Sequence, residues 1–234
     1  MFGWMEMIGQ KPSADIEDAE GVMQGMMITG RAGIMSDMAV ATDHGWRRAA
    51  ALRVGDRVLT FDNGFQPVRD IQRETFRLAE GSTLRPVVIP KDALGNDAEL
   101  QLMPEQGIMV ESDTVQDILD DPFVVIPAHT LCGFRGIHGG EPDEEIGVTT
   151  LAFAEDQVIY VEGGLLAYCP CPRDLLASGT ETIAAPLYEV IGARPATYLV
   201  RCLIVDDDVK ALVCDPEELA EVARRSREAA GVPA

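Results

Sequence analysis

From Met38 onward the chain alternates short β-branched or apolar runs with turn-forming residues, and this restricts the fold more than any other feature. The runs are MAVAT, RVLTF, RPVVIP, LQLM, GIMVES, FVVIPA, VTTLAF, QVIYVEG, LYEVI, TYLVRCLIV and KALVC. Each is strand-sized, and no helix-length pattern comes regularly between them. That spacing predicts an all-β body rather than βαβ units. The turns DHGW and LRVGD divide the early runs, and Asn63-Gly64 sits between two of them as a hairpin signal.

Two segments read as helices. In 112–121, Ser112 or Asp113 stands where an N-cap accepts a free backbone N–H, and Pro122 stops the helix. In 215–231, Asp215 caps, Pro216 takes the first helical position, acids come early, arginines late, and Gly231 closes the segment. Leu219, Val222 and Ala223 give that helix an apolar stripe, predicted to dock on the β body. Before the strands, 1–32 reads as a loosely ordered arm. Eight of the ten methionines lie in residues 1–38, without a sustained period. Such an arm packs on the body or offers a partner an adaptable apolar strip.

Charge narrows the function classes. With 19 basic against 39 acidic residues, the formal charge is -20. That field repels nucleic acid and anionic membranes, leaving a basic protein partner or a cation. Of the possible membrane spans, 21–41 comes nearest, but Arg31, Asp37 and four glycines interrupt it. The start lacks a basic signal region, and the five cysteines lack the spacing of a disulfide scaffold. Reduced thiols in a cytoplasm are the expectation.

At 40–71, VATDHGWRRAAALRVGDRVLTFDNGFQPVRDI, the chain resembles the hedgehog/intein (Hint) domain in the form common in bacterial proteins. The residues that carry the resemblance are Thr42, Gly45, Leu52, Gly55, Asp56, Leu59, Thr60, Gly64, Gln66 and Pro67. It implies a compact, mainly β, horseshoe-like domain over 33–214, strongest at 40–71 and weak after 169, with a mid-chain helix and a C-terminal helix. The chemistry it implies is an acyl shift: a Cys or Ser opening the domain attacks the preceding peptide bond, and a later histidine helps the amide nitrogen leave. The matched nucleophile position is Gly33, which has no side chain. The matched helper block, Ser-Pro-x-His in relatives, reads Met103-Pro104-Glu105-Gln106, and glutamine is no general acid. A further late-strand histidine corresponds to Asp156 or Gln157.

The first reading is therefore a non-catalytic Hint-like domain, an interaction or assembly module needing no cofactor. The alternative is self-cleavage at the 35–36 bond by Ser36, the nearest hydroxyl. A third reading places a metal at Cys169 and Cys171 in YCPCP, although one intervening residue is poor spacing for zinc. Otherwise this is a rigid loop with free thiols. His44, His129 and His138 read singly as surface or structural histidines. The acids of 141–145 and 206–208 lack a calcium-loop pattern. Trp46 is expected to anchor its corner through its apolar area.

Overall fold

The computed structural model describes residues 32–77, 85–141, 145–171 and 187–214, with Glu221 and Arg224. The expected arm and C-terminal helix lie outside these, apart from Ala32, Glu221 and Arg224.

Short hydrogen-bonded turns build the first half. After β1 (Ile34–Met35), β2 (Ala39–Thr42) folds back on β3 (Gly45–Arg48). Thr42 Oγ1 donates to Gly45 O at 2.6 Å and accepts the His44 N–H at 3.1 Å. The device recurs between β4 (Arg57–Thr60) and β5 (Gly64–Pro67). There Thr60 Oγ1 donates to Gly64 O at 2.8 Å and accepts the Asn63 N–H at 3.1 Å. A threonine whose hydroxyl closes the turn fixes hairpin register locally, before any core forms.

The later strands are β6 (Asp70–Arg77), β7 (Val87–Ile89), β8 (Leu100–Leu102), β9 (Gly107–Glu111), β10 (Phe123–Pro127), β11 (His138–Gly139), β12 (Glu145–Ala152), β13 (Gln157–Tyr160) and β14 (Leu166–Cys169). An eight-stranded sheet runs β10-β9-β14-β13-β4-β2-β3, with β5 also on β4. Two three-stranded sheets, β1-β12-β6 and β11-β7-β8, complete a mainly β fold. Every pairing between these strands is antiparallel. The core gathers Val40, Leu52, Ile89, Ile108, Ile126, Leu131 and Ile159, all fully shielded. Each such side chain contributes about 1.5–3 kcal/mol relative to exposure.

Helix α1 (Asp113–Leu119) forms where expected, with Ser112 Oγ accepting the Thr114 N–H at 3.2 Å. The run TYLVRCLIV does not form a strand. It lies in helix α2 (Ala193–Asp206), which starts after Gly192 and ends at Asp207 in a left-handed conformation. Its buried residues, Ala196, Leu199, Val200 and Leu203, recur at helical spacing and face the core. Pro195 falls in the first turn, where a missing N–H costs nothing. KALVC forms turns rather than a strand, although Ala211 and Leu212 are buried. LYEVI opens on a bend and forms only an isolated bridge to β10, Val190 against Val125. LLAYC, not read as a strand above, supplies β14, and the polar DIQRETFR supplies β6.

Candidate functional site

The tight turn between β8 and β9 delivers Gln106 to the interior. Its N–H donates to Met103 O at 3.0 Å and its carbonyl accepts from Ala128 N at 2.9 Å. The residue is 2% exposed. Gly107 follows because β10 and β14 pass too close for a side chain: a Cβ there would lie 2.8 Å from Val125 Cγ1 and 3.1 Å from Tyr168 Cβ.

That closeness lets the Gln106 carboxamide span three segments. Nε2 donates to Gly107 O and to Tyr168 O, both at 2.9 Å. Oε1 accepts the N–H of Gly33 at 3.1 Å, across 73 residues of sequence. The partners fix the orientation of the amide, since a flip would set NH₂ against N–H and oxygen against two carbonyls.

Gly33 thus sits with its backbone nitrogen, the amide nitrogen of the 32–33 bond, against Gln106. It leads into β1, whose Ile34 and Met35 pair with Thr149 and Val148 of β12. Its φ is +116°, and a Cβ on it would stand 2.5 Å from Val148 Cγ1 and 3.0 Å from Thr150 Oγ1. Glycine is required twice over here, by backbone conformation and by space.

Ser36 lies in the following turn. Its N–H donates to Gly147 O at 2.9 Å and its carbonyl accepts from Ala50 N at 2.8 Å. Ser36 Oγ lies 3.0 Å from Thr149 Oγ1, a second hydroxyl and no base. The structure does bring a histidine to the Gln106 turn: His129 Nδ1 lies 3.0 Å from Pro104 O and 3.5 Å from Glu105 Oε1. His44 pairs with Asp43 at 3.1 Å. His138 Nδ1 lies 2.9 Å from Gly136 O in an exposed strand.

At the late-strand positions, buried Asp156 accepts the Cys171 N–H at 2.8 Å and the Leu187 N–H at 3.4 Å. Gln157 Oε1 accepts from Asn63 Nδ2 at 3.2 Å. Cys169 is not in a loop: it ends β14, and burial pushes its thiol up to about 12. Cys171 Sγ donates to Ala154 O at 3.4 Å. All five cysteines are free thiols. Among the described residues no group of three or more His, Cys, Asp or Glu side chains is placed to hold a metal.

The signature residues act as scaffold. Besides the two threonine turns, Asp56 Oδ2 accepts from Arg47 Nη1 and Arg53 N, each at 2.8 Å. Gly55 N donates to Val68 O at 2.9 Å, Gln66 Nε2 to Asn63 O at 2.6 Å, and Pro67 pairs with Arg57. Leu52 and Leu59 are buried. Trp46 departs from its expected role, remaining 38% exposed on β3.

Sequence reasoning missed Tyr168 O, Val148 and His129 as neighbours of this site. Only Gly107, directly after Gln106, signalled a close backbone approach.

The chain matches the Hint domain family over residues 33–167. It belongs to that family, and its matched region opens at Gly33. No curated protein matches it. Among solved structures, it resembles a bacterial intein-like domain from Clostridium thermocellum at 10% identity, covering 58% of this chain and 98% of that one, TM-score 0.38. It also resembles the MchDnaB-1 intein at 12% identity, covering 57% and 98%, TM-score 0.35. The gp41-1 intein is similar at 12% identity, covering 58% and 96%, TM-score 0.31. No described helix is long and apolar enough to cross a membrane.

Proposed function

We propose that this Hint domain does not cleave itself and serves as a protein-interaction module. The observation that carries the reading is the hydrogen bond from Gly33 N–H to Gln106 Oε1. Breaking the 32–33 peptide bond would need a nucleophile on residue 33 and a proton delivered to its nitrogen. Gly33 has no nucleophile. Gln106 turns an acceptor toward that nitrogen and spends both its N–H groups on carbonyls. A carboxamide does not exchange a proton near neutrality. The same contacts make the old catalytic position a joint, tying the start of the domain to β9 and β14.

Intact mass of the purified chain, followed over a day with and without added thiol, tests this. A single full-length species is the expected result. A product beginning at Ser36 would refute the reading and assign cleavage to that hydroxyl; Ser36→Ala would then abolish it.

A further inference from the structure

One stretch of this acidic protein is basic. Residues 47–77 hold seven arginines against four carboxylates, a net +3, so the rest of the chain carries −23. Within that stretch a cavity of about 630 Å³ opens beside the 52–56 turn. Its walls include Arg47, Arg53, Arg73, Ala50, Val54 and Ile71.

Two of the three guanidinium groups are held in place. Arg47 donates to Asp56 Oδ2 and to Ala51 O, each at 2.8 Å. Arg73 Nη2 donates to Leu52 O. Arg47 thus has its carboxylate partner, whereas among the described residues neither Arg53 nor Arg73 forms an ion pair with one. Arg53 is exposed, and it is its backbone N–H that bonds Asp56. Beside these cations stands Val54, a large apolar side chain 63% exposed at the rim.

We propose that this cavity binds a short acidic and aliphatic segment of a partner protein. This deepens, and rests on, the reading of the domain as an interaction module. Carboxylates of the segment meet Arg53 and Arg73, whose planar forks match carboxylate geometry. An aliphatic side chain lies against Val54, Ala50 and Ile71. The volume falls in the range of cavities that hold a few residues or a small ligand. A nucleic acid fits less well. Among the described residues no aromatic side chain lines the cavity to stack a base, and a polyanion meets the long-range repulsion of the whole chain. A short peptide with two or three carboxylates is repelled far less, and salt screens that repulsion beyond roughly 8 Å.

The test uses the full chain and three fluorescein-labelled probes: an octapeptide alternating Glu and Leu, one alternating Lys and Leu, and an eight-nucleotide thymidine strand. Fluorescence anisotropy should show binding of the Glu/Leu probe alone, weaker at high salt. Arg53→Ala and Arg73→Gln should each reduce affinity about tenfold. Arg53→Ala removes an exposed side chain with no hydrogen-bond or ion-pair partner among the described residues, so that comparison holds even if Arg73→Gln disturbs folding. The proposal is overturned if the Glu/Leu probe binds no better than the Lys/Leu probe, if Arg53→Ala leaves affinity unchanged, or if the thymidine strand binds tighter. Intact mass of the same sample separates the two readings. A full-length chain that ignores the Glu/Leu probe removes the pocket and leaves the module reading. A chain cut before Ser36 that still binds through Arg53 retains the pocket and refutes the loss of self-cleavage.

Discussion

The Gly33–Gln106 joint and the arginine-lined cavity are both made from segments that carry the family pattern, yet they are opposite in kind. At the joint every polar atom of the Gln106 side chain has a partner, and there is no room for one more carbon on Gly33. At the cavity two exposed cations form no ion pair among the described residues. The joint is spent on holding the chain together; the cavity has binding capacity left over. One domain thus holds a saturated interior contact and a surface cavity lined by arginines.

Substitutions should separate the two regions by size of effect. Gln106→Leu should be the most damaging, at about 3 kcal/mol, because it strands the Gly33 N–H and two carbonyls in the interior. Urea denaturation measures it, and a loss below about 1 kcal/mol would mean water replaces the amide there. Gly33→Ala comes next, at about 2 kcal/mol, from the positive φ and the clash with Val148. Adding Val148→Ala should return part of that loss; purely additive effects would mean the clash is absent.

The third effect is alkaline and belongs to Cys169, next to the Tyr168 carbonyl of the joint. Its folded thiol is held up at about 12 against an ordinary 9.0, so the unfolded chain loses its proton first as pH rises. The stability carried by the neutral buried thiol is whole below pH 9.0 and is lost progressively toward 12, by about 1 kcal/mol near pH ~10. Denaturation midpoints above and below pH 9.0 should show that decline, and Cys169→Ala should flatten it. At the cavity, Arg53→Ala should change stability by no more than about 0.5 kcal/mol. A larger loss would make Arg53 structural and erase the contrast with the joint.

Much of the first half of the fold was legible because its cues are local. Thr42 with Gly45, Thr60 with Asn63-Gly64, and Ser112 before α1 each act within a few residues. The failure at α2 is just as physical. Tyr198 to Val205 is rich in residues that favour strands, but Ala196, Leu199, Val200 and Leu203 are spaced for one helical face. Packing of that face against the core overrode the intrinsic preference. Strand β6 was missed for the opposite reason. Its residues are largely polar, and it is held as a strand by the register of β12 over Asp70–Arg77 rather than by its own pattern.

The side-chain inventory belongs to the sequence alone: a glycine at 33, a glutamine at 106, and acids in large excess. No folding step can add a thiol or an imidazole to those positions. Tertiary structure alone decided that residues 33 and 106 meet, which way the carboxamide turns, and that Val148 fills the space a side chain on residue 33 would need. It also decided that three arginines spread over 47–73 face one cavity. Chemical identity is a local property of the chain, whereas these contacts depend on sheet register and turn geometry that join segments dozens of residues apart.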